Sequence, residues 1–151
     1  MPFEISPKFV TINRWVAKHP REAQALADLA AYVRTIPDAL WDYTNIRANS
    51  LNHPCGTIGC ALGHAPFVPS CAELGIHVEG GAVCGADVYD EPEEAFSLPG
   101  RVALQIFYGG NGVTERTNYG VVLERVTQVM VADRIDRWLL TGRIHAPKAT
   151  P

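Results

Sequence analysis

His53-Pro54-Cys55-Gly56-Thr57-Ile58-Gly59-Cys60-Ala61-Leu62-Gly63-His64-Ala65 gathers two of the chain's four cysteines and two of its five histidines into one short stretch. It lies in an uncharged run from Ala48 to Ala72, between Arg47 and Glu73. The pattern predicts a helix beginning near Thr57, with threonine as the N-cap, Pro54 outside it, and Pro66 and Pro69 limiting its end. On a helical projection Ile58, Ala61, Leu62 and Ala65 form an apolar arc, while Gly59 and Gly63 share a second face. Cys60 and His64, four apart, share a third. No face carries a charge. A helix without a solvent face is buried on all sides, so this segment is read as the central helix.

Working outward toward the N-terminus, His19-Pro20 opens an amphipathic helix in which Leu26, Leu29, Ala30, Val33 and Ile36 make one stripe. Arg21, Gln24, Asp28, Ala31, Arg34 and Thr35 lie off that stripe, and Pro37 stops the helix. Its expected role is to cover the core. Before it, Ser6-Pro7 marks the start of a shorter helix carrying Phe9, Ile12, Trp15 and Val16 to about Lys18. From Pro37 to Pro54 no period dominates, and the segment reads as an ordered loop pinned by Trp41 and Tyr43, with a helical turn at Ala39–Trp41.

Toward the C-terminus, Phe67 to Leu74 reads as a turn and a short helical piece capped by Ser70. Gly75 to Cys84 has the outline of a small hairpin turning at Gly80-Gly81. Asp90-Glu91-Pro92-Glu93-Glu94 is an acidic helix start leading to about Leu98, and Pro99 opens a further helix to Tyr108. Val102, Leu104, Ile106 and Phe107 surround that helix, which predicts burial. Gly109-Gly110-Asn111-Gly112 follows a helix and lacks the Lys-Ser/Thr of a phosphate loop, so it reads as a helix end and turn. The last helix is expected from about Asn118 to Leu140, ended by Gly142. Val122, Leu123, Val126, Val129 and Met130 lie on one arc, and Val131, Ile135, Trp138 and Leu139 on another. That change of face predicts a kink near Ala132 or a second partner, such as another subunit. Residues from about 145 onward read as a loose tail.

The chain has 151 residues, 47% hydrophobic and 19% charged, which fits one globular domain spanning 1–151 that buries its own core. A net charge of -3 with scattered basic residues disfavours nucleic acid and anionic lipid as partners. The start Met1-Pro2-Phe3-Glu4 has neither the basic nor the apolar part of a signal peptide, and prolines, asparagines and histidines interrupt the uncharged run before bilayer length. A cytoplasmic protein with reduced thiols is the expectation. The fold class is mainly α: a compact single-domain helical fold around a buried central helix, with one small β-hairpin.

Three chemistries compete for the central stretch. Cys55, placed just before the expected helix N-terminus, is a candidate nucleophile, because the dipole stabilises thiolate and backbone N–H groups can bind an oxyanion. His64 is its candidate base. Alternatively Cys55, Cys60 and His64 bind zinc, with Cys60 and His64 chelating from one helix face, although no Cys-x-x-Cys or His-Glu-x-x-His is present. The third reading is packing, with cysteine as a small apolar residue, glycine allowing close approach and His64 hydrogen-bonded in the core.

Cys55-Gly56-Thr57-Ile58-Gly59-Cys60 has a likeness to the Cys-Gly-Ser-Cys-Trp segment of papain-like proteases but lacks the tryptophan. The longer segment Cys55 to Ala65 resembles the Cys-Gly-Thr-x-x-Cys-x-x-Gly-His/Trp-Ala signature of an uncharacterised family of small bacterial and phage-encoded proteins. Trp41-Asp42-Tyr43 is similar to the aromatic-Asp segment that precedes the signature there. That resemblance implies no activity and assigns no residue a role. The leading expectation is a non-catalytic interaction or regulatory module without a cofactor. It self-associates, if at all, through Val131, Ile135, Trp138 and Leu139. A cysteine-dependent hydrolase or transferase centred on Cys55 is the main alternative, and a metal-binding protein the second.

Overall fold

The computed structural model describes residues 13–41, 48–49, 57–58, 60–80, 82–87, 90–108 and 125–144. Among them, in chain order, are α1 (Arg14–Lys18), α2 (Pro20–Arg34), β1 (Ala48–Asn49), β2 (Thr57–Ile58), α3 (Ala61–His64) and α4 (Pro69–Glu73). There follow β3 (His77–Glu79), β4 (Ala82–Cys84), α5 (Gly100–Ala103) and α6 (Gln128–Thr141). Short 3₁₀ turns at Asp38–Leu40, Ala65–Phe67 and Pro92–Phe96 and a π turn at Leu104–Tyr108 link them. The protein is mainly helical with the small β3–β4 hairpin that the sequence pattern predicts, and it has a second strand pair, β1–β2, that the pattern does not.

The element around which these pieces assemble is α2. The predicted stripe Leu26, Leu29, Ala30, Val33 and Ile36 is buried, and Arg21, Ala31, Arg34 and Thr35 are exposed. Ala23, Ala25 and Ala27 are buried as well, so α2 is enclosed on more than one side and does more than cover the core. Alanine costs no side-chain entropy in a helix and leaves room for neighbours to come close. Helices α1, α3, α4 and α6 all use that room, α6 most extensively.

The central stretch departs from its expected form. Thr57 and Ile58 are not helical but form β2, antiparallel to β1, with Ala48 opposite Ile58 and Asn49 opposite Thr57. These β-branched residues follow their strand preference. The helix starts only at Ala61, after Cys60 in extended conformation, and passes into the 3₁₀ turn that contains Pro66. Its burial is as predicted: Ala61, Leu62, Gly63, His64 and Ala65 are all inside.

The last helix also begins later than its apolar residues imply. Thr127 is the N-cap, its hydroxyl accepting the Met130 N–H at 3.3 Å, so Val126 lies before the helix. The two arcs are therefore not two faces of one long helix. Val131, Ile135, Trp138 and Leu139 are buried within this chain, where α6 packs along α2. They are not a surface for a second subunit. The helix ends at Gly142 as predicted, and there Asn13 joins the start of α1 to the end of α6. Its side-chain amide donates to the Trp138 carbonyl at 2.7 Å while its oxygen caps α1 through the Trp15 N–H.

The hairpin forms as expected, pairing His77 with Cys84, Val78 with Val83 and Glu79 with Ala82. Gly80 at φ 58° supplies the left-handed turn position. The acidic start at residues 90–94 gives a 3₁₀ turn broken by Ser97 at φ 55°, not a full helix. In the following helix Val102, Ile106 and Phe107 are buried, but Leu104 is 57% exposed because the wider π turn changes which positions face inward. Ser70 lies inside α4, whose N-cap is Val68. Ser6 to Ile12, Tyr43, His53, Cys55, Gly109 to Gly112, residues 118–124 and the tail from 145 lie outside the described residues. Among the described residues no helix is long and apolar enough to cross a membrane.

Candidate functional site

Cys60 and His64 stay one helical turn apart, joined by the His64 N–H donating to the Cys60 carbonyl at 3.2 Å. Both side chains are buried, His64 at 2% exposure. The imidazole reaches across to the 3₁₀ turn after α2, where Nε2 lies 3.0 Å from the Leu40 carbonyl oxygen. A carbonyl only accepts, so Nε2 carries the proton and donates it. That bond fixes the Nε2–H tautomer of the neutral ring and leaves Nδ1 as the unprotonated nitrogen. The ring also packs against Tyr32, with centroids 6.2 Å apart and planes at 46°.

The turn that receives His64 is held from a second direction. Gln128, buried at the start of α6, donates through Nε2 to the Ile36 carbonyl and to Asp38 Oδ1, both at 2.9 Å. Trp41 Nε1 donates to the Val126 carbonyl at 2.7 Å, which confirms its pinning role. Residues 36–41 thus form a polar knot that ties α2, α3 and α6 together with directional bonds.

The helix N-terminus that was to activate Cys55 belongs to Cys60, because α3 starts at Ala61. Cys55 itself lies outside the described residues. Cys60, Cys71 and Cys84 are all buried, and Cys71 and Cys84 are free thiols. Cys71 donates to the Ala25 carbonyl at 3.4 Å, and burial, aided by the Asp28 carboxylate, pushes its pKa up to about 12. A thiol held protonated that far above neutrality is inert. Among the described residues no group of three or more His, Cys, Asp or Glu is placed to hold a metal ion.

A second polar group, not singled out from the sequence, lies between α2 and α4. Asp28 accepts from Gln24 Nε2 at 2.9 Å through one oxygen and from the Ser70 hydroxyl at 2.6 Å through the other. Arg21 reaches the Glu73 carbonyl at 3.4 Å. Arg21, Gln24, Ser70, Glu73 and Leu74 line a cleft of about 140 Å³ over this group. The signal for its α2 side was present, since Arg21, Gln24 and Asp28 fall off the apolar stripe together. Ser70 and Glu73 join only through tertiary packing. No family model, curated protein or solved structure matches this chain.

Proposed function

We propose that the chain is a non-catalytic interaction or regulatory module, in which the Cys60–His64 turn is a packing centre and recognition falls to the polar cleft between α2 and α4. The observation that carries this reading is the seating of His64 in the core, 2% exposed with Nε2 donating to the Leu40 carbonyl and the ring against Tyr32, which gives the motif's histidine a packing role. The size of the cleft points the same way. Pockets that engulf a small-molecule substrate run to about 300–1,000 Å³, whereas this one holds about 140 Å³ and is lined by an arginine and a glutamate. That volume admits one side chain of a docking protein, with Arg21 placed for an acidic group and Glu73 for a basic one. A cytoplasmic setting agrees with the free thiols at Cys71 and Cys84.

Thiol labelling of the native protein at neutral pH, resolved by residue, tests the non-catalytic reading. Cys60, Cys71 and Cys84 should label only on unfolding, and Cys55 no faster than in the denatured chain. Faster labelling of native Cys55 would overturn the reading in favour of a cysteine-dependent enzyme. The cleft is tested by placing a photo-crosslinker at Gln24 with and without Arg21→Glu. Adducts indifferent to that charge reversal would remove the cleft as the recognition surface.

A further inference from the structure

We infer that strand β3 and the turn before it are braced by a proton-dependent clasp, in which a doubly protonated His77 bridges the Gly75 carbonyl and the Glu79 carboxylate. His77 Nδ1 lies 2.7 Å from the Gly75 oxygen, and Nε2 lies 3.3 Å from Glu79 Oε2. A carbonyl and a carboxylate are both acceptors, so each contact requires an N–H. A neutral imidazole has only one. The imidazolium satisfies both at once, and it also forms an ion pair with Glu79.

The far end of the clasp is backbone that cannot easily yield. Gly75 has φ +97°, and a Cβ there would lie 2.7 Å from the Ala86 Cα, so the turn before β3 and the segment leaving β4 are interlocked. Glu79, by contrast, sits at the turn end of β3, opposite Ala82 and one residue before Gly80, with an exposed carboxylate. Losing one ring proton therefore frees the Glu79 carboxylate while the Gly75 contact and the strand pairing stay in place. The surface beside it is apolar: Val78 on β3 is 39% exposed, and Phe67, on the 3₁₀ turn that touches β3, is 42% exposed.

The groups around the ring leave Glu79 as the charge that bears on it. Cys84 is opposite in the strand register, and Ala65–Phe67 carry no ionisable side chain. Beyond β4, the Asp90 carboxylate accepts the Asp87 N–H at 3.1 Å. The Gly75 bond raises the imidazole pKa above its ordinary value, burial opposes it, and Glu79 and then the Gly85 backbone add to the rise. A histidine raised in this way contributes stability that is fully present below its unfolded pKa and is lost as pH rises through the folded one. The clasp thus holds on the acid side and opens on the alkaline side. It is independent of the cleft between α2 and α4.

Two-dimensional NMR of the full chain, titrated across the histidine range of about pH 5 to 8, tests the inference. His77 should titrate above the ordinary histidine value, and the amides of Gly75, Glu79 and Gly85 should move with the same midpoint. Glu79→Gln should lower that midpoint without removing the whole upward shift, because the Gly75 carbonyl remains. His77→Gln should abolish the shared transition while leaving the other histidines' titrations unchanged. The clasp is overturned if His77 titrates at or below the ordinary value, or if the hairpin amides stay fixed while it titrates.

Discussion

Helices α2 and α3 are both buried, but they are held by different forces. The fifteen-residue α2 is enclosed by α1, α3, α4 and α6 against a surface of alanine, leucine and valine. The four-residue α3 is too short to hold itself as a helix, and its one buried polar side chain is anchored to the Leu40 carbonyl. Area holds the first, whereas a directional bond orients the second. The comparison teaches that crowding of Cys and His does not make a segment the axis of a fold. Small side chains on a long helix do so here.

The largest test of that contrast removes area from the α2–α6 contact. Ile135→Ala takes a fully buried side chain from α6 and should cost about 2–5 kcal/mol in urea unfolding. The midpoint should be the same at every protein concentration. A midpoint that rises with concentration would mean that Ile135 stabilises a subunit contact, which its burial against the chain's own core argues against.

A pH test probes α2 from the α4 side. Cys71 is raised from 9.0 to about 12. Its folded state therefore keeps a proton that the unfolded chain loses. The stabilisation is fully present below pH 9.0 and is lost as pH rises toward about 12, at up to about 1.4 kcal/mol per pH unit. Cys71→Ser retains a donor for the Ala25 carbonyl and should flatten this part of the stability curve relative to the parent. Parallel curves for the two proteins would refute the assignment.

The directional side of the contrast is tested at His64. Replacing it with leucine keeps apolar volume but leaves the buried Leu40 carbonyl without its donor. The expected loss is about 1–3 kcal/mol in urea unfolding. A histidine kept only for chemistry would show no such loss, so an unchanged midpoint would reopen the catalytic reading.

The same contrast explains what was legible in the sequence. For α2 every signal is local: His19-Pro20 opens it, Pro37 closes it, and the apolar stripe lies between them. The hairpin is equally local, since Gly80 supplies its turn. The start of α6 was obscured because Val122, Leu123 and Val126 extend an apolar pattern backward through Thr127, where the cap interrupts the helix. For α3 the burial was legible but the boundary was not, because a strand pairing with Ala48 and Asn49 outweighs a threonine cap. The partners of His64 and Asp28 come from Leu40 and Ser70, distant positions that periodicity cannot join.

The smallest expected effect concerns the ion cluster that spans α2 and α6. Arg34 lies 2.6 Å from Asp133 and 2.8 Å from Asp136, yet its side chain is 35% exposed and that of Asp133 is 58% exposed. Asp136 is the informative member. Burial raises its pKa, Arg34 pulls it down, and the neighbouring Asp133 charge raises it again, with a net upward shift. A carboxyl raised by folding favours the native state below its unfolded pKa, and that contribution is lost as pH rises through the folded value. The ionised Asp136 is thus a net burden at neutral pH despite its short contact with Arg34. Asp136→Asn should gain on the parent as pH rises from the ordinary aspartate value through the raised one, by at most about 1 kcal/mol. A variant that instead loses ground over that interval would show the ion pair outweighing desolvation, and charge would then join area in holding α6 to α2.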